Sequence, residues 1–379
     1  MATTEYYLGV LSGTSIDALD TVLVAITAQP CAPQIELIHA ISEPFPPSLA
    51  NELAELCTPG NNELYRFGVA DRQFSLFAAS VIKKVLAQTG IAASAVRAIG
   101  SHGQTVRHHP NDATPFTLQL GCPETLAVTT GIPVVSHFRQ KDVALGGQGA
   151  PLAPALHHAL FASEHVNRAI VNLGGIANIS YLPRTNAQAT TFVTGFDCGP
   201  ANTLMDYWFA KHHRNTKGFD ENGAWAEQGQ INHELLARLQ ADPFFSAPPP
   251  KSTGREYFTP AWLQQHLDRL EPIHAVDVQA TLLALTCESL CSALEQYTSA
   301  EDVYLCGGGA ENKALVKALK KRLPSVSWNN TSCLGVHANW VEGVLFAWLA
   351  FQFCQKSAGN LTAVTGAQRR AILGRYTPV

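Results

Sequence analysis

Twice in this chain an apolar strand runs into a short glycine knot and straight out into a second apolar strand. The first instance is "GVLSGTSIDALDTVLVAI", residues 9–26, and the second is "RAIVNLGGIANISYLP", residues 168–183. An ordinary two-residue hairpin needs one glycine and no cluster of hydroxyls. The first knot instead carries Ser12, Gly13, Thr14, Ser15, Asp17 and Asp20, a set of groups suited to holding a ligand. Two like openings in one chain point to a duplicated α/β core with a cleft between its halves. With 379 residues the chain exceeds the length at which a single core stops growing, so two domains are expected. We place the first at residues 1–135, completed by 355–379, and the second at 136–354.

The stretches between the knots fit that plan. "IELIHAISEPFP" reads as a third strand, and residues 48–57 and 63–89 carry helical spacing. "VRAIGSHGQTVRHHP" reads as strand then loop, and "GIPVVSHFR" as a strand leading to the glycine-rich "ALGGQGAPLAP". Later come "TTFVTGFDCGPANTLMDYWF" as strand, loop and helix, a helix over 277–298, a strand–glycine turn–helix from Asp302, and a closing helix over 340–356.

Charge excludes some functions. A net charge of −4 leaves no electrostatic footprint for nucleic acid or an anionic membrane, and suits a small substrate better than a polyanion. The longest apolar run, "VEGVLFAWLAFQF", is too short to span a bilayer and carries Glu342. No secretory leader is expected from "MATTEYYLGV", and nine cysteines without a C-x-x-C pair fit a reducing cytoplasm. Cys287 and Cys291, one helical turn apart, read as core packing rather than a metal pair.

Glycines in a strand turn let backbone N–H groups approach an anion, and neighbouring hydroxyls add donors. Gly13, Thr14 and Ser15 therefore suit a nucleotide tail, while Asp17 and Asp20 offer the hard oxygens that hydrated Mg²⁺ accepts. A hairpin decorated with Asx turns explains the same residues without a ligand. In "LCGGGAENKAL", Gly307, Gly308 and Gly309 permit close approach of a nucleoside, or make a tight strand-to-helix turn. The G-x-G-x-x-G spacing of a dinucleotide site is missing. "PPPKST" is no P-loop, because prolines precede the lysine and no strand feeds it. Asp197, placed at a strand end before Gly199-Pro200 and a helix, is a candidate general base; helix capping is its structural alternative.

Nine segments in order, "GVLSGTSIDALD", "SHGQTVRHHP", "ALGGQGAPL", "NLGGIANIS", "GFDCGPANTLMD", "PPPKSTGREYF", "DVQATLLALT", "CGGGAENKAL" and "GNLTAVTGA", resemble the signature segments of the anhydro-N-acetylmuramic acid kinases. The resemblance spans residues 9–367. It implies an α/β, two-domain actin/sugar-kinase/Hsp70-like (ribonuclease H-like) fold with mixed sheets and an inter-domain cleft, ATP with Mg²⁺, a homodimer, and a part in bacterial cell-wall recycling. The implied reaction opens the 1,6-anhydro bridge of the sugar with water and phosphorylates O6, giving N-acetylmuramic acid 6-phosphate and ADP.

By the same resemblance Asp197 is the base. Gly13, Thr14, Ser15, Ile16, Asp17, Ala18, Leu19 and Asp20 form the ATP-binding stretch. Gly174, Gly175 and Asn178 form a second phosphate hairpin, and Gly307 to Gly309 with Asn312 lie by the adenosine. Glu342, Gln104, Arg139 and Gln148 meet the sugar or its lactyl carboxylate, while His102 and His108 read as hydrogen-bonders. The chain departs from the pattern at Ala18, where glycine is usual, and at His137 and Asn339, where aspartate is common. The alternatives are a conventional hexose or amino-sugar kinase of this fold and, further off, an ATP-driven clamp like Hsp70 or actin.

Overall fold

The computed structural model describes residues 3–13, 16–29, 33–185, 192–213, 218–254 and 257–379; the expected site residues Thr14 and Ser15 lie outside the described residues. In chain order the strands are β1 (Thr4–Ser12), β2 (Ala18–Thr27), β3 (Gln34–Pro44), β4 (Val96–His109), β5 (Phe116–Leu120), β6 (Val134–Ser136), β7 (Arg168–Leu173), β8 (Ile176–Leu182), β9 (Thr194–Pro200), β10 (Asp302–Cys306), β11 (Ser327–Asn330) and β12 (Arg375–Thr377). The helices are α1 (Pro47–Leu56), α2 (Glu63–Thr89), α3 (Pro123–Thr130), α4 (Gln140–Ala144), α5 (Ala153–Phe161), α6 (Asn202–His212), α7 (His233–Gln240), α8 (Pro243–Ser246), α9 (Pro260–Leu267), α10 (Ala275–Tyr297), α11 (Lys313–Arg322), α12 (Val341–Cys354) and α13 (Thr362–Thr365).

The chain divides into unit 1, Met1–Leu160 with Trp340–Val379, and unit 2, Phe161–Asn339. Unit 1 holds a sheet of order β12-β6-β4-β1-β2-β3, with β5 paired to β4; unit 2 holds one of order β11-β10-β7-β8-β9. In each, three consecutive strands form an antiparallel meander, and two later strands add in parallel beside the first. Both units thus carry one topology, the ribonuclease H-like order that actin-type ATPases and sugar kinases duplicate. The fold is α/β with mixed sheets.

The units divide later than the expected 135/136 and earlier than the expected 354/355. The reason for the second is α12. It is apolar nearly all round, from Val341 to Phe351, and such a helix must be covered on every side. It lies directly on β1, β2 and β4, where glycines remove the obstacle: a Cβ on Gly9 would stand 2.0 Å from Gly343 O, and one on Gly100 1.9 Å from Phe346 O. The closing helix is therefore part of the unit 1 core.

β4 also runs further than expected. The loop expected within "VRAIGSHGQTVRHHP" is instead strand as far as His109, and it pairs with β5, an unexpected strand. In unit 2, Cys287 and Cys291 are buried within one apolar cluster with Leu173, Phe196 and Leu305, as core residues. Among the described residues no helix is long and apolar enough to cross a membrane.

Candidate functional site

In unit 1, β1 and β2 pair from Thr4↔Thr27 to Ser12↔Leu19, so the first knot begins where the ladder ends. The turn is carried by Ile16, at φ 57, whose N–H donates to Gly13 O at 3.3 Å. Ala18 opens β2 and has no left-handed backbone, so alanine serves where the family has glycine. Leu19 is a core residue with no exposed surface. Asp17 is exposed, and its Oδ1 accepts the Ala18 N–H at 3.0 Å, a local turn of the Asx kind. Asp20 is partly buried and hydrogen-bonded to Ser42; burial first, then the charge of Asp17, raises its carboxyl above the ordinary range. The Asp17 charge beside Asp20 makes an acid pair whose hard oxygens fit Mg²⁺, an ion that needs only one or two carboxylates. Among the described residues no group of three or more His, Cys, Asp and Glu is placed to hold a metal.

Gln104, expected in a loop, lies in β4 and is buried. Its Oε1 accepts the Ser12 hydroxyl at 2.5 Å, and its Nε2 donates to Thr105 O at 3.1 Å. It ties the end of β1 to β4.

A second polar group in unit 1 centres on Arg139. Its Nε donates to His102 Nε2 at 3.0 Å, and its Nη1 donates to Gly149 O at 2.9 Å. Because His102 Nε2 accepts, Nδ1 carries the proton and donates to Gly103 O at 3.0 Å. Burial, then the Arg139 charge, holds His102 well below the usual histidine range and therefore neutral. Its ring packs against that of Phe346 of α12, tilted by 35° with centroids 4.6 Å apart. Burial pushes Arg139 down to about 10, while the charges of Glu342 and Asp142 pull it up. Glu342, exposed in the first turn of α12, thus faces the Arg139 group electrostatically.

Gln148 is half-buried in the glycine loop and donates its N–H to Thr365 O at 2.7 Å. His108 meets the Thr117 hydroxyl at 2.9 Å, and burial pushes it down to about 4, so it acts as a hydrogen-bonder. His137 adopts φ 58 and meets Gln140 Nε2 at 3.2 Å; Asn339 belongs to unit 2.

In unit 2 the β7–β8 turn is Gly174-Gly175, and its carbonyls are used. Gly174 O accepts the Asn202 N–H at 3.0 Å, and Gly175 O accepts those of Ala201 and Thr203 at 2.9 and 3.1 Å. The start of α6 is thereby sewn to the hairpin. Gly307, at φ 78, leaves no room for a side chain: a Cβ would stand 2.3 Å from Asn172 Oδ1. One on Gly309 would stand 2.7 Å from the Leu173 side chain, whereas Gly308 faces open space. Asn312 caps α11, its side chain accepting the Leu315 N–H at 3.1 Å. The second hairpin and the triple glycine are neighbours in one unit.

Asp197 sits inside β9, not at its end. The ladder runs Ala177↔Gly199, then Asn178↔Asp197, so Cys198 is the extra residue of a β-bulge. A bulge re-aims the side chain beside it, here setting Asp197 opposite Asn178 and burying Cys198. Helix capping is not its role: α6 begins at Asn202 with Ala201 as cap and no side-chain cap bond. Asp197 Oδ2 accepts the Ser252 hydroxyl at 2.9 Å and the Thr253 N–H at 2.8 Å, and its own N–H donates to Lys251 O at 3.0 Å. Lys251 in turn holds the loop closed, Nζ donating to Phe244 O at 3.0 Å and Phe245 O at 3.3 Å. Gly199, at φ 138, lets Phe245 approach: a Cβ would stand 2.6 Å from Phe245 Cε1.

Sequence reasoning missed Ser252, Thr253 and Asp142. The "PPPKST" segment is irregular chain, and its proximity to Asp197 is a fact of tertiary structure. Asp142 is fully buried and joins segments more than 200 residues apart.

The comparisons agree with this picture. The profile of the family "Anhydro-N-acetylmuramic acid kinase" matches residues 5–379. A protein of that name from Shewanella pealeana is 46% identical over 374 residues, covering 99% of each chain. One from Shewanella baltica is 47% identical over 370 residues, covering 97% of each. Among solved structures, the activator of the 2-hydroxyisocaproyl-CoA dehydratase from Clostridium difficile with bound ADPNP aligns at TM-score 0.43 and 14% identity, over 94% of this chain and 99% of that one. A ROK family glucokinase from Streptomyces griseus in complex with glucose and AMPPNP aligns at 0.36 and 13%, over 92% and 99%. A match that runs essentially end to end, on a duplicated hairpin fold with an acid set at a bulge, places the chain in the anhydro-N-acetylmuramic acid kinase family.

Proposed function

We propose that this chain is an ATP-dependent kinase that opens the 1,6-anhydro bridge of 1,6-anhydro-N-acetylmuramic acid with water and phosphorylates O6. Asp197 takes a proton from water as its oxygen bonds to C1. The bond between C1 and the bridging oxygen breaks, and O6 keeps that electron pair and receives the γ-phosphoryl group of ATP. The products are N-acetylmuramic acid 6-phosphate and ADP, with one water consumed. The phosphoryl group captures the leaving oxygen, so no second carboxylic acid at a fixed spacing is needed, unlike in an inverting glycosidase.

The observation that carries this reading is the Asp197 carboxylate at the β9 bulge, with Oδ2 fixed by Ser252 and Thr253. Fixed donors hold a carboxylate in one orientation, which general base catalysis needs. Gly13 to Asp20, Gly174, Gly175 and Asn178 would take the phosphates, with Gly307 to Gly309 and Asn312 beside the adenosine. Asp17 and Asp20 would hold Mg²⁺, which neutralises charge on phosphate oxygens. Arg139 would pair with the lactyl carboxylate of the sugar, near Glu342, Gln104 and Gln148. Family membership also supports a homodimer and a cytoplasmic place in cell-wall recycling.

The test is turnover in ¹⁸O-water with prompt mass spectrometry, using the product incubated alone to correct for anomeric exchange. A product heavier by one water, with the label on C1, is expected. A phosphorylated product that keeps its anhydro bridge would overturn the reading in favour of a conventional sugar kinase.

A further inference from the structure

We propose that Asp142 is a positioning residue for Arg139 and the glycine loop, acting through Gly149; this rests on the reading that Arg139 binds the sugar. The Asp142 carboxylate has no exposed surface and accepts three hydrogen bonds of 2.8 Å. Oδ2 takes the Gly149 N–H, and Oδ1 takes Asn360 Nδ2 and the Thr365 hydroxyl. The C=O of Gly149 accepts Arg139 Nη1. Gly149 is therefore gripped from both sides, by the buried acid through its N–H and by the arginine through its carbonyl.

The loop is shaped around this carboxylate. A Cβ on Gly147 would stand 2.3 Å from Asp142 Oδ2, and Gly149 adopts φ 67. Gln148 lies between them, its N–H held by Thr365 O at 2.7 Å. Asn360 is itself fixed, its Oδ1 accepting the Ala371 N–H at 2.7 Å. The C-terminal segment "GNLTAVTGA" is the far wall of the carboxylate's seat, through Asn360 and Thr365.

A buried carboxylate is an expensive way to hold a loop, since neutral amides or hydroxyls avoid the desolvation cost. It brings something they lack: negative charge beside a guanidinium that burial works to discharge. With Nε on His102 and Nη1 on Gly149, the arginine is locked in orientation as well as kept charged. Pre-set geometry of this kind favours binding of the group the arginine faces.

The test compares Asp142→Asn, Thr365→Val, Thr365→Ser and Arg139→Ala by steady-state kinetics and thermal melting. Asp142→Asn leaves one accepting atom where there were two, so either the Gly149 N–H or the Asn360–Thr365 pair loses its acceptor, and the negative charge beside Arg139 is removed. The KM for 1,6-anhydro-N-acetylmuramic acid should rise about 10–100-fold while the KM for ATP stays within about twofold. Thr365→Val should raise the sugar KM about 3–10-fold, and Thr365→Ser should restore it. Thr365→Val carries the test if Asp142→Asn does not fold. Sugar and ATP constants rising together, or an unchanged sugar KM in a folded variant, would overturn the proposal. If Arg139→Ala raises the sugar KM and the other variants do not, the positioning role alone fails. An unchanged sugar KM in Arg139→Ala removes the reading on which it rests.

Discussion

In unit 1 Asp20 of β2 faces Ser42 of β3; at the corresponding register of unit 2 Asn178 of β8 faces Asp197 of β9. The correspondence is set by prolines: Ala18, the first residue of β2, pairs with Pro44, and Ile176, the first of β8, pairs with Pro200. The same hairpin thus carries its acid on the second strand in one unit and on the third in the other. In unit 1 the acid has another carboxylate for a neighbour, and in unit 2 a hydroxyl and a peptide N–H. The first surrounding raises its acid; the second holds its acid with two donors. Duplication supplies the frame, and one bulge at Cys198 decides which side chain the frame presents.

That contrast breaks or sharpens under substitution. The largest expected effect is that of Asp197→Asn, which should lower kcat by about 10²–10⁴ with nucleotide affinity nearly intact. A variant turning over at the normal rate would reduce Asp197 to a structural acid. Asp20→Asn should behave differently, lowering kcat/KM for ATP about 10–100-fold and raising the Mg²⁺ needed for half-maximal rate. An Mg²⁺ titration unchanged by Asp20→Asn would erase the division of labour between the two acids. Ser252→Ala should cost about tenfold in kcat, since the Thr253 N–H still holds Oδ2.

The remaining two expectations concern stability. Gly9→Ala drives a Cβ into the Gly343 carbonyl and should lower the Tm by about 5–10 °C, with hydrogen exchange rising in unit 1 peptides before unit 2 peptides. Acid should act on the same unit. Burial holds His102, His108, His137, His157 and His158 of unit 1 below the ordinary range, His108 at about 4 and His157 at about 3. Their protons bind the unfolded chain first, so stability is full above pH 6.5 and falls as pH drops toward 4. Asp20 and Asp71 are raised and bind protons in the folded state first, an opposing gain that begins nearer the carboxylate range. A Tm fall of about 3–5 °C between pH 7.5 and 5, led by unit 1 peptides in hydrogen exchange, is expected. A flat profile would contradict it.

The strands and long helices were legible because periodicity is local: α2 occupies the expected 63–89, and α10 and α12 begin and end within a few residues of expectation. Family resemblance and the glycine knots made the site stretches legible as well. What stayed hidden depends on pairing. β5 owes its strand to β4, and the position of Asp197 owes its aim to a bulge that exists only against β8. Ser252 reaches Asp197 across 55 residues and Thr365 reaches Asp142 across 223, distances at which spacing in the chain carries no signal. The second domain boundary shifted for a like reason, because nothing within α12 says which sheet it will cover.

The place of α12 in unit 1 has a consequence for the order of synthesis. Unit 2 is an insertion, complete once residue 339 is made, while β1, β2 and β4 wait for residues 341–354 to cover one face. The half that emerges first from the ribosome is the half that finishes last, and a message cut short after residue 339 would yield one finished body beside an open sheet.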